Sequence, residues 1–135
     1  MFESDLFIED RIKFFNSYDD IFLIVHDNEH RKIKLDSKVL EFKDRLIRDF
    51  KKKLPNSKII SASDIDDIKN AFDCVYPNIG ENLDFLNEKT SLINKINFIG
   101  RKEDLYCWQY AKKGFFNFKK QIPDIIKQLY QKELI

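Results

Sequence analysis

With 135 residues, 43% of them hydrophobic and 14% aromatic, the chain holds enough apolar material for one core; its three glycines and three prolines exclude a collagenous or linker-rich polypeptide. A formal net charge of +1 excludes a partner held by bulk charge alone. Two cysteines, Cys74 and Cys107, are too few for a disulfide framework, and the longest uninterrupted apolar run, Ile21–Val25, falls far short of a membrane-crossing helix.

The start of the chain, MFESDLFIEDR, carries acids where a signal peptide needs a basic then an apolar stretch, so the expectation is a cytoplasmic protein with no membrane partner. The abundance of Lys, Ile, Asn and Phe suggests an A+T-rich bacterial genome. Residues Asp5 to Phe15 fit either an alternating strand or a helix capped at Ser4, and the spacing of Ile8, Ile12 and Phe15 favours the helix. Ile21–Val25 is β-branched and aromatic, HDNEH reads as a polar turn, and Lys32–Leu35 alternates, which predicts an antiparallel hairpin. Ser37 then caps a helix whose Val39, Phe42, Leu46, Phe50 and Leu54 form one apolar stripe and which Pro55 ends.

Lys58–Ser61 predicts a short strand. Ser63 starts a second helix that buries Ile65, Ile68, Phe72 and Val75, with Asp64, Asp66 and Asp67 where the helix dipole favours negative charge. Pro77, Asn78 and Gly80 mark a loop, and Ile96–Ile99 a strand closed by Gly100. Asp104–Gln121 gathers the single tryptophan with Tyr106, Tyr110 and three phenylalanines. Its alternation predicts a hairpin turning at Lys112–Lys113–Gly114; a helix would carry Gly114 inside it at a cost of about 1 kcal/mol. Pro123 opens a last helix with Ile126, Tyr130 and Leu134 on one side. The expected architecture is a single α+β domain over residues 1–135, a mainly antiparallel sheet with three to four helices packed on one face.

Charge is unevenly distributed. Lys43–Lys58 carries seven basic residues and two acids, Asp64–Glu88 seven acids and one lysine, and Arg101–Lys132 eight basic residues and three acids. Signatures of catalysis are missing: there is no phosphate-binding G-x-x-x-x-G-K-[ST] loop and no G-x-S-x-G elbow. His26 and His30 lie four apart in HDNEH, but the glutamate adjoins the second histidine, unlike the zinc-protease motif, so no metal and no cofactor is expected. Lys112, Lys113, Lys119 and Lys120 interleave with Trp108, Tyr110, Phe115, Phe116 and Phe118, a pattern that suits phosphate contact with base stacking and makes a nucleic-acid binder the alternative reading.

The stretch YCWQYAKKGFFNFKK, with its Trp, its Ala before basic residues and Gly, and its closing aromatics, resembles segments of small bacterial immunity proteins of contact-dependent-inhibition and polymorphic-toxin systems. The resemblance covers Tyr106–Lys120 and carries no functional residue across. It implies a non-enzymatic cytoplasmic inhibitor that binds and occludes one cognate toxin domain, often a nuclease. A nuclease cleft is basic, so the expected contact residues are Asp64, Asp66, Asp67, Asp73, Glu81, Asp84 and Glu88, with Trp108 or Tyr110 as a desolvated anchor.

Overall fold

A computed structural model describes residues 1–6, 12–77, 79–112 and 114–132. It divides into two compact units, Met1–Phe98 and Ile99–Ile135. In the first, a 3-10 turn (Glu3–Asp5) and a short helix α1 (Ile12–Phe15) precede β1 (Ile21–Val25), α2 (Ser37–Lys53) and β2 (Ser57–Ser61). A second 3-10 turn (Ala62–Asp67), β3 (Phe72–Val75), α3 (Glu81–Glu88), α4 (Thr90–Ile93) and β4 (Ile96–Ile99) follow. The remaining helices are α5 (Lys102–Trp108) and α6 (Phe115–Gln131).

The strands form two small two-stranded sheets, and both are parallel. This overturns the expected mainly antiparallel sheet. β1 pairs not with a neighbour across a tight turn but with β2, after α2 has carried the chain back, in register Ile21↔Ser57 through Val25↔Ser61. The predicted hairpin fails because Lys32–Leu35 is not a strand. Asn28 brackets that loop instead: its Nδ2 donates to the Leu35 carbonyl at 2.8 Å, and its Oδ1 accepts from the Leu35 N–H at 2.9 Å. Ile33, which the alternation would bury, is exposed. On the chain's other side of β1, Phe2 bridges Ile24, and the Ile24 N–H donates to the Met1 carbonyl at 2.7 Å.

A core of Phe2, Ile24, Ala62, Ile65, Cys74, Phe85, Leu86 and Leu92 lies within the first unit, with Ile60, Ile68, Phe72 and Ile96 partly buried against it. The predicted second helix is a 3-10 turn followed by β3. Ser61, not Ser63, caps the turn in a reciprocal box with Asp64, and Phe72 and Val75 belong to the strand. The Phe72 N–H donates to the Lys95 carbonyl at 2.9 Å, tying the start of β3 to the approach to β4. α2 ends as expected, but its cap is Asp36, whose side chain accepts from the Lys38 N–H. It buries Ile47, Phe50 and Leu54 and leaves Val39, Phe42 and Leu46 exposed, so the buried face is rotated by part of a turn from the expected stripe.

The predicted hairpin around Trp108 is two helices. Glu103 and Asp104 occupy the first turn of α5, where acids favour a helix start. Gly114 is neither a hairpin residue nor a helix-interior one; it stands at the N-cap of α6 with φ 78°. α6 therefore begins at Phe115 and runs through Pro123, which was expected to open it.

Candidate interaction surface

The acidic stretch folds into a set of mostly partnered carboxylates. Asp64 accepts from the Ser61 N–H at 3.3 Å as part of its cap. Asp66 pairs with Lys89. Asp73 accepts from the Tyr18 hydroxyl and, at 2.7 Å, from Asn97 Nδ2; these two bonds hold its carboxyl below the ordinary carboxylate range. Tyr18 responds in the opposite sense. Burial first, then Asp73, pushes its phenol up to about 12. Glu81 pairs with Arg31, and Glu88 with Lys32 at 2.9 Å between two exposed side chains. Asp67 and Asp84 are the two of the seven whose carboxylates have neither a hydrogen bond nor an ion pair among the described residues. Tyr110 is likewise committed, its hydroxyl 3.1 Å from that of Tyr106, whereas Trp108 is 47% exposed.

The buried charge cluster centred on Arg31 was not legible from spacing. Arg31 Nε and Nη2 donate to the His26 carbonyl at 3.1 and 2.7 Å, Nη2 also reaches Glu3 Oε1 at 3.2 Å, and Nη1 pairs with Glu81. Lys43 Nζ donates to the same Glu3 oxygen at 2.8 Å. Burial alone would raise the Glu3 pKa, but the Lys43 and backbone bonds, aided by Arg31, outweigh it and hold the carboxyl below its ordinary value. His26 stacks beside Phe85 with ring centroids 4.9 Å apart, its Nδ1 3.0 Å from Asn82 Oδ1. A cavity of about 260 Å³ opens at the end of β1 between Val25, Leu40, Lys43 and Ile47. The cluster fastens the first residues and α3 to β1; it brings together no nucleophile and base.

The remaining reactive groups are equally quiet. Cys74 is buried, and burial followed by Asp104 and Glu103 pushes the Cys107 thiol up, away from the reactive thiolate. Asp27, Glu29 and His30 offer ligand atoms within 4.8 Å of one another, but Asp27 Oδ1 already accepts from the Glu29 N–H at 2.9 Å, and proximity alone marks no metal site.

The second unit presents the conspicuous surface. α5 and α6 are joined through Tyr106, whose hydroxyl donates to Gln128 Oε1 and whose ring lies 4.4 Å from Lys132 Nζ. α6 buries Ile125 and Leu129. Its exposed side carries Phe115 (67% exposed), Phe116 (77%), Ile126 and Tyr130 (65%), and on α5 Leu105 and Trp108 are also exposed. At about 100° per residue, Phe115, Ile126, Lys119, Tyr130, Phe116, Lys127 and Lys120 fall within an arc of roughly 140°. That arc contains no acid; Asp124 lies outside it. Lys119, Lys120 and Lys127 are exposed and make no ion pair among the described residues. The exposed stripe of α2, Val39, Phe42 and Leu46, differs: carboxylates stand among its basic residues, in the pairs Glu41–Arg45, Asp44–Arg48 and Asp49–Lys52.

No protein-family model, curated protein or solved structure matches this chain.

Proposed function

We propose that this chain acts by binding another protein rather than by catalysis, in the manner of an immunity protein that occludes a toxin domain. The observation that carries the binding reading is the α6 face, where Phe115, Phe116, Ile126 and Tyr130 all stand exposed. Apolar patches of this kind on a small chain mark contact sites, and Trp and Tyr are the residues most enriched among interface hot spots. The acidic stretch supports the reading less than its composition suggests, because most of its carboxylates already have partners within the chain.

A photo-crosslinking residue at position 116, with position 52 on α2 as control, tests this in the native host. The expected result is one discrete protein adduct specific to position 116; no adduct, or the same adducts from both positions, rejects the binding reading. The toxin-occluding role has its own test. The crosslinked partner, expressed alone, arrests growth and the chain restores it; a harmless partner rejects the immunity role and leaves the binding reading standing.

A further inference from the structure

We infer that the partner surface received by α6 is acidic as well as apolar, opposite in charge to the basic cleft suggested by the acidic stretch. The inference rests on the binding reading above and specifies the chemistry of that contact. Its warrant is the composition of one face: Lys119, Lys120 and Lys127 stand among Phe115, Phe116, Ile126 and Tyr130, with no carboxylate in the same arc. An ammonium without a carboxylate neighbour keeps its full attraction for an incoming charge, whereas Arg45, Arg48 and Lys52 of α2 are already partnered in i,i+3 and i,i+4 pairs. A complementary surface therefore presents Asp or Glu around an apolar stripe, as an acidic amphipathic helix does.

Two features favour a protein over a polyphosphate or an anionic bilayer. Affinity for those polyanions grows with the number of phosphates neutralised, and a chain of net charge +1 is poorly equipped for that. The apolar members include the aliphatic Ile126, which offers a base no stacking face, and Phe115 and Phe116 already meet each other edge to face, 5.6 Å between centroids at 69°.

The test uses the full chain with the crosslinker at position 116 and compares three backgrounds. These are Lys119→Glu/Lys120→Glu/Lys127→Glu, the same three lysines changed to Arg, and the control Lys38→Glu/Arg45→Glu/Lys52→Glu on α2. Circular dichroism confirms that each retains helix; if the α6 Glu variant loses it, Lys→Gln at the same positions takes its place. The expected result is an adduct reduced about tenfold or more by charge removal on α6, retained with Arg and with the α2 control, and weakened by salt in the parent chain. A parent-level adduct after charge removal on α6 overturns the inference while the binding reading survives. An adduct digested by nuclease or extracted with lipid overturns it in favour of a polyanion. If position 116 of the parent chain captures nothing, the binding reading itself has failed.

Discussion

Arg31 is the residue on which the first unit's polar interior turns. Its guanidinium is 4% exposed in relative terms as a residue and meets one backbone carbonyl and two carboxylates. Truncating one member of a buried ionic cluster leaves the others desolvated and unpaired, so Arg31→Ala is expected to cost about 3–5 kcal/mol in urea denaturation. Glu3 extends the argument to pH. Its folded pKa is depressed, so between that value and the ordinary carboxylate value the unfolded chain binds more protons. The stability it supplies is present above the unfolded pKa and is lost as pH falls through the folded one. Denaturation midpoints measured downward from pH 5 should decline more steeply for the parent chain than for Glu3→Gln; equal slopes would contradict the assignment. Neither role is legible in the sequence, because Arg31 sits 28 positions from Glu3 and 50 from Glu81. Within a polar turn it reads as one more solvated charge.

At the scale of elements, the sequence located strands and helices better than it assigned their neighbours. Ile21–Val25 and Ile96–Ile99 are strands as their apolar runs predict, and Asp36 through Leu54 bounds a helix close to the expected one. The Trp108 segment predicts a hairpin because alternating aromatics satisfy a period of two as readily as two helical stripes do. What decides it is Gly114, whose φ of 78° breaks the chain between helices. A Cβ there meets no atom within 4 Å, so the penalty is conformational. Gly114→Ala and Gly114→Asn should both destabilise the chain, by about 1–3 kcal/mol, because φ 78° with ψ 170° lies outside the left-handed helical region that Asn tolerates and is populated essentially by glycine alone. Pro123 misled in the other direction. Its ring and missing N–H suit a first turn, yet it sits in the interior of α6, where it deprives the helix of a bond. Pro123→Ala should therefore raise stability, by up to about 3 kcal/mol, read as a higher denaturation midpoint; a lowered midpoint would show that the proline packs against something an alanine cannot reach.

For the whole molecule, the missing information was pairing. Nothing local to Ile21–Val25 says whether its edge receives the next segment or one that returns after a 17-residue helix. The one available hint was the run itself: strands covered on both faces read as continuous apolar stretches, and these are characteristic of parallel sheets. Charge was misleading in the same non-local way, since the acidic middle is answered by Arg31, Lys32 and Lys89 from elsewhere in the chain. What the chain leaves unanswered is the aromatic and basic face of α6, and that asymmetry separates stability from binding. Leu86 is fully buried in the core, so Leu86→Ala should cost about 2–5 kcal/mol of folding free energy. Phe116 is 77% exposed, so Phe116→Ser should leave stability within about 0.5 kcal/mol of the parent. If α6 is a contact surface, that same change should nonetheless weaken partner capture from a crosslinker placed at Phe115, by about 2 kcal/mol where Phe116 is a hot spot. Measuring stability and capture on the same preparation decides between the two roles. A Phe116→Ser chain that loses stability and capture together makes the phenylalanine a structural residue; one that loses capture alone makes it an interface residue.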